Sequence, residues 1–168
     1  IAVVINYHKD FRDSITGDPF YGKIIGFIEK YVQELGYYLM LYFAKDTDKI
    51  FQMVMGWDVD GVIAISFSKS NCEKIYQLIK PIVSIDAYGE LDAGQEKHVL
   101  NIGLDDESGG YLMTKYLLEC GYEHIQVCAG RDNGVDHLRY MGAQRAAKDF
   151  AKKKQKVQFT ALGMNYAK

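Results

Sequence analysis

Basic surplus, paired cysteine and long apolar runs are what this chain has least of. Its 168 residues carry 20 Lys and Arg against 22 Asp and Glu, a formal net charge of −2. A surface that reads nucleic acid concentrates Lys and Arg to displace counterions, so no such surface is expected within this segment. The three cysteines, Cys72, Cys120 and Cys128, are odd in number, scattered and without CxxC spacing. That excludes a disulfide framework or zinc site and fits reduced cytosolic thiols. His8, His98, His124 and His137 have no metal-ligand spacing, so neither metal nor cofactor is expected. No apolar run approaches a membrane span, and no signal peptide precedes Ile1. The chain opens mid-pattern on a strand without an initiator Met, and so reads as a fragment of a cytoplasmic protein.

Catalytic signatures are missing as well. There is no GxGxxG after the first strand, no GxxxxGK[ST] and no GxSxG turn. The end of the first strand, Ile5-Asn6-Tyr7-His8, supplies no acidic pair of the kind a phospho-receiver needs. Binding without turnover is the expectation.

What is present is an alternation of short apolar strands and amphipathic runs. Residues 1–5 form a strand apolar on both faces, as parallel strands are. A polar loop runs from about residue 8 to 18, longer than most connections. Asp18 and Pro19 then read as N-cap and first helical position. Ile24, Ile25, Phe27, Ile28, Tyr31, Val32 and Leu35 trace a helical stripe that Gly36 ends. Further strands are expected at 37–43, 61–65, 82–85, 99–104, 125–129 and 157–162. Further helices are expected at 47–55, 71–79, 107–120 and 137–152, with glycine-bearing loops at 87–98 and 130–136. Strand then helix, repeated, is an α/β fold with a doubly wound parallel sheet, whose ligands sit at the carboxyl ends of the strands.

The order of these signals resembles the effector-binding core of LacI/GalR-type transcriptional regulators, itself similar to periplasmic sugar-binding proteins. The resemblance is carried by Asp18-Pro19-Phe20-Tyr21, Gly26-Phe27-Ile28-Glu29, Leu35-Gly36-Tyr37 and Val59-Asp60-Gly61-Val62-Ile63. It continues through Pro81-Ile82-Val83-Ser84-Ile85-Asp86, Asp105-Asp106-Glu107-Ser108-Gly109-Gly110, the run from Leu118 to Ile125, and Arg139-Tyr140-Met141-Gly142. It implies a periplasmic-binding-protein-like (type I) two-lobed fold with the second lobe incomplete: residues 1–121 as the N-terminal lobe and 122–168 as the start of the C-terminal lobe. It also implies an N-terminal helix-turn-helix DNA-binding domain that these residues do not contain. The same fold serves extracytoplasmic sugar-binding proteins of ABC transporters, which is the alternative reading.

Arg139 is the foremost candidate for ligand contact. Read in the first turn of a helix, its charge gains nothing from the macrodipole. The resemblance gives the matching arginine a bidentate grip on the effector, which suits a planar guanidinium. A salt bridge to Asp136 is the plainer explanation, and Asp136 reads equally as a cap, as an orienter of Arg139 or as a ligand contact. Phe20 and Tyr21 offer an aromatic wall or packing under the long loop. Asp18 either caps or accepts ligand hydroxyls. Ser66, Phe67 and Asp86 follow the third and fourth strands, Asp86 also fitting an Asx turn, and Ser108 lies at a helix start after the fifth. Asp105-Asp106-Glu107 is explained by charge complementarity at a helix N-terminus.

The family dimerises side by side through its core. A homodimer is therefore expected, with Ile50, Phe51, Val54, Ile75, Tyr76, Leu78 and Ile79 as its candidate surface unless the sheet claims them. The expected ligand is a small sugar-like effector, a sugar or sugar phosphate held between the lobes. No membrane partner is expected.

Overall fold

The computed structural model describes residues 1–6, 18–67, 69–87, 98–129, 134–152 and 154–161. The polar loop expected before Asp18, the loop at 88–97 and the glycine turn at 130–133 lie outside the described residues. In chain order the elements are β1 (Ala2–Asn6), α1 (Pro19–Glu34), β2 (Met40–Ala44), α2 (Thr47–Gly56), β3 (Val62–Ile65) and α3 (Lys69–Ile75). β4 (Ile82–Ile85), β5 (Val99–Ile102), α4 (Asp106–Glu119), β6 (His124–Ala129), α5 (Gly134–Phe150) and β7 (Lys156–Ala161) complete them. The chain divides into two compact units, Ile1–Gly103 and Leu104–Lys168.

The first unit is a five-stranded sheet of order β2-β1-β3-β4-β5, every adjacent pair parallel. β1 lies between β2 and β3, and all five of its residues are buried. Its side chains alternate between two cores, as a period of two requires. Val3 and Ile5 join Ile65 on one face, where Tyr21, Ile24, Ile25 and Ile28 of α1 pack. Ala2 and Val4 join Val62, Ala64 and Ile82 on the other, with Ile50 and Val54 of α2 and Ile75 of α3. Helices on both faces of a parallel sheet are the doubly wound arrangement expected from the sequence.

Boundaries shift where tertiary contacts override local pattern. β2 begins at Met40 rather than 37, because Gly36 at φ 79° closes α1 and the Tyr37 amide returns to Val32 O at 3.0 Å. That left-handed closure is where glycine meets no Cβ clash. α3 ends early at Ile75, and Ile75 and Leu78 turn inward to the core.

The expected dimer surface on α2 and after α3 is mostly core. Ile50, Val54, Ile75 and Leu78 are buried, and Phe51 and Tyr76 pack against them. Of the seven residues only Ile79 stands fully exposed. Trp57 is a packing residue, edge-on to Tyr42 with ring centroids 5.8 Å apart.

The second unit pairs β6 with β7 in parallel and packs α4 against α5. The helices cross closely enough that side chains are excluded at two points. A Cβ on Gly110 would collide with the Arg139 backbone, and one on Gly142 with the Glu107 carbonyl, 2.8 Å from Tyr111 N. The sequence boundary after residue 121 counted α4 with the first lobe, whereas contacts group it with α5. Cys120 and Cys128 are both exposed.

Candidate functional site

The carboxyl edge of the first sheet is where its polar chemistry gathers. Register aligns Ile5, Ile65 and Ile85, so Asn6, Ser66 and Asp86 follow at one level on three adjacent strands. Ser66 (φ 62°) and Asp86 (φ 52°) are the two non-glycine residues with positive φ among the described residues. A left-handed backbone costs an ordinary residue about 1–2 kcal/mol, and strain of this kind persists where the surrounding structure over-determines it. Two adjacent strands leaving the sheet this way turn their chain ends abruptly, with Ser66 and Asp86 half-buried at the rim.

α1 brings its first turn to the same edge. Asp18 is its N-cap, accepting from the amides of Phe20 at 2.8 Å and Tyr21 at 3.2 Å. Capping satisfies two amides that would otherwise lack partners, so the cap explains Asp18. The Tyr21 hydroxyl shares a 2.7 Å hydrogen bond with Ser66 Oγ. Two of the expected contact residues are thus in direct touch. Phe20, about half exposed, meets the Tyr21 ring edge-on with centroids 5.3 Å apart. Phe67 does not belong to this rim. It is 1% exposed and sits in the core with α2 and α3, because the turn at Ser66 breaks the strand alternation and sends the next side chain inward. Its observed place is that of a packing residue.

Sequence reading overlooked Asn6. Its Nδ2 donates to Lys45 O at 3.0 Å, and its Oδ1 accepts from Asn71 Nδ2 at 3.1 Å. This buried amide ties the end of β1 to the segment after β2 and to α3. A polar residue closing four buried apolar ones was the available signal, since a buried amide has to find partners.

In the second unit, the start of α4 holds α5 by charge. Asp105 is the N-cap and accepts from Ser108 N at 2.9 Å. The hydrogen bonds from Ser108 hold its carboxyl below the usual carboxylate range, with a smaller contribution from the Arg145 charge. Ser108 is therefore engaged by the cap. Asp106, its side chain only 5% exposed, accepts from Arg139 Nε at 2.7 Å. Glu107 pairs with Arg145, whose guanidinium also lies 4.7 Å over the Tyr111 ring.

Two expectations about Arg139 change. α5 begins at Gly134, three residues before the sequence placed it, so Arg139 lies past the first turn and the macrodipole no longer marks it out. Its partner is Asp106 rather than Asp136, which occupies the first turn of α5 itself. The guanidinium keeps 53% of its side-chain surface, and Nη1 and Nη2 make no bond among the described residues. The guanidinium is thereby fixed at one end, with its other donors unbonded among the described residues. No helix among the described residues is long and apolar enough to cross a membrane.

No family model matches the chain. The sucrose operon repressor of Pediococcus pentosaceus is 27% identical over 124 residues, covering 71% of this chain and 36% of that repressor. Among solved structures, a LacI transcriptional regulator from Lactobacillus brevis superposes with a TM-score of 0.71 at 20% identity, over 95% of this chain and 56% of that one. The transcriptional regulator CelR in complex with cellobiose gives a TM-score of 0.70 at 18% identity, over 95% and 50%. The chain therefore spans little more than a third of that curated relative and about half of these solved chains.

Proposed function

We propose, starting from a chain that is LacI/GalR-like in fold and in sequence, that it is the ligand-sensing portion of a bacterial transcriptional regulator. A small hydroxylated molecule, a sugar or sugar phosphate, is bound rather than transformed, in the cytoplasm. Its binding changes how a helix-turn-helix module outside these residues engages DNA. Such coupling requires different ligand affinity in the two states of the regulator, not tight binding alone.

The observation that carries this reading is the rim of the first sheet. Ser66 and Asp86 turn left-handed side by side, and Tyr21 is hydrogen-bonded to Ser66. Hydroxyl and carboxyl groups beside an aromatic ring suit a sugar, which offers hydroxyls at its edge and an apolar face. The sucrose and cellobiose in the names of two similar proteins support the same class. Arg139, in the second unit, is proposed separately as a ligand contact. A thermal-shift panel of sugars, sugar phosphates and purines tests the reading. A true ligand raises the melting temperature, and Arg139→Ala removes that rise. A ligand that stabilises the variant equally well contradicts it.

The regulator is also proposed to be a homodimer, through α1 instead of α2 and α3. Phe27, Tyr31 and Leu35 are exposed along one flank of α1, with Tyr38 just beyond. An antiparallel, two-fold pairing centred between Phe27 and Tyr31 sets Lys23 of each copy near Glu34 of the other. Sedimentation velocity checks it: a dimer is expected, and Phe27→Ser with Tyr31→Ser should leave a monomer. A native chain that sediments as a monomer at high micromolar concentration contradicts it.

A further inference from the structure

Arg139 carries a full positive charge, yet its surroundings are not those of an anion trap. The N-cap and first turn of α4 hold Asp105, Asp106 and Glu107, and the first turn of α5 holds Asp136. Among the described residues, Arg139 and Arg145 are the cations paired with these carboxylates. Arg145 is matched by Glu107 and stacked on Tyr111. Arg139 is matched by Asp106 at 2.7 Å. Asp105 and Asp136 make no ion pair among the described residues, although the Arg145 charge reaches Asp105.

Resting on the reading of Arg139 as a ligand contact, we propose that Asp106 is a positioning and specificity residue that makes Arg139 select an uncharged, hydroxyl-bearing ligand and reject a phosphorylated one. Asp106 takes the Nε–H and leaves the Nη1 and Nη2 donors, a planar pair, unbonded among the described residues on a side chain that is half exposed. Their geometry suits vicinal hydroxyl or carbonyl oxygens, which accept hydrogen bonds without bringing charge. A phosphate would meet the same donors and gain their attraction, but with a buried aspartate directly behind them and unmatched carboxylates on both helix starts. Removing a like charge at that range, partly screened by solvent, is worth about tenfold in affinity. A purely structural ion pair would tie α4 to α5 equally well but would leave anion selectivity untouched.

The substitution that separates the two is Asp106→Asn. It keeps the acceptor oxygen for Nε and removes the charge. The probe is inorganic phosphate, titrated into the whole chain while the Arg139 Nε–H resonance is followed by NMR. In the native chain, phosphate should leave that resonance unsaturated through the millimolar range. In Asp106→Asn, phosphate should bind about tenfold more tightly, and Arg139→Ala added to it should abolish the gain. Equal phosphate affinity in the two chains, or no binding in either, overturns the proposal, as does a gain that survives loss of Arg139. Should Asp106→Asn fail to fold, Asp106→Ser takes its place, removing the same charge while leaving a hydroxyl acceptor for Nε, and the same outcomes decide. None of these results bears on whether Arg139 grips an uncharged sugar, which the thermal-shift panel reads independently.

Discussion

Gly142→Ala should destabilise the second unit by about 3 kcal/mol, at the upper end of what overpacking usually costs. Helix propensity alone forecasts the opposite sign. Alanine is better than glycine inside a helix by about 1 kcal/mol, and Gly142 lies well within α5. The added methyl, however, falls on the Glu107 carbonyl and 2.8 Å from Tyr111 N. These are backbone atoms of α4, so neither can rotate away. α4 and α5 would have to separate, stretching the Asp106–Arg139 and Glu107–Arg145 pairs on the way. Gly26 in α1 is the matched control, because a Cβ there meets nothing within 4 Å. Gly26→Ala should gain a few tenths to about 1 kcal/mol. Urea unfolding of both variants checks the pair. If Gly142→Ala is as harmless as Gly26→Ala, the close helix crossing is wrong.

Arg139→Ala should erase ligand-induced stabilisation while leaving the unliganded protein folded. With ligand at a hundred times its Kd, binding adds about 2.7 kcal/mol. For a chain of this size that is a rise of roughly 5–10 °C in Tm. Two charge-assisted hydrogen bonds lost from one guanidinium weaken binding by about a hundredfold. The same ligand concentration then adds only about 0.4 kcal/mol, a rise of roughly 1 °C. Asp106, left without its partner, keeps a place at the start of α4, where a carboxylate is favoured by the helix dipole.

Much of the architecture was legible because it depends on short-range periodicity. Strands such as Ile82–Ile85 and helices such as Thr47–Gly56 announce themselves by apolar spacing, by Asp caps and by glycine ends. The start of α5 was not legible, because Gly134 at φ 65° reads as turn until packing shows that the helix begins there. Charge pairing was the least visible. Nothing local says that Arg139 will find Asp106, 33 residues earlier, instead of Asp136 on its own helix. That choice is made by the glycine-lined crossing of α4 and α5, which brings the two helix starts together. On the first sheet, the sequence pointed to the carboxyl edge but not to which side chains stay there. Ser66 and Asp86 were separable from Phe67 only once the left-handed turn at Ser66 was known. Asn6 escaped notice because its role depends on Lys45 and Asn71, which strand order alone brings near.

The most direct measurement is a titration of the isotopically labelled chain with whichever sugar the thermal-shift panel selects, following Tyr21, Ser66 and Asp86 by NMR. The three signals should move along one saturation curve with a single Kd, since Tyr21, Ser66 and Asp86 stand at the same carboxyl rim of the first sheet. Curves with different midpoints, or a sugar that leaves Tyr21, Ser66 and Asp86 unmoved, would contradict binding at the rim.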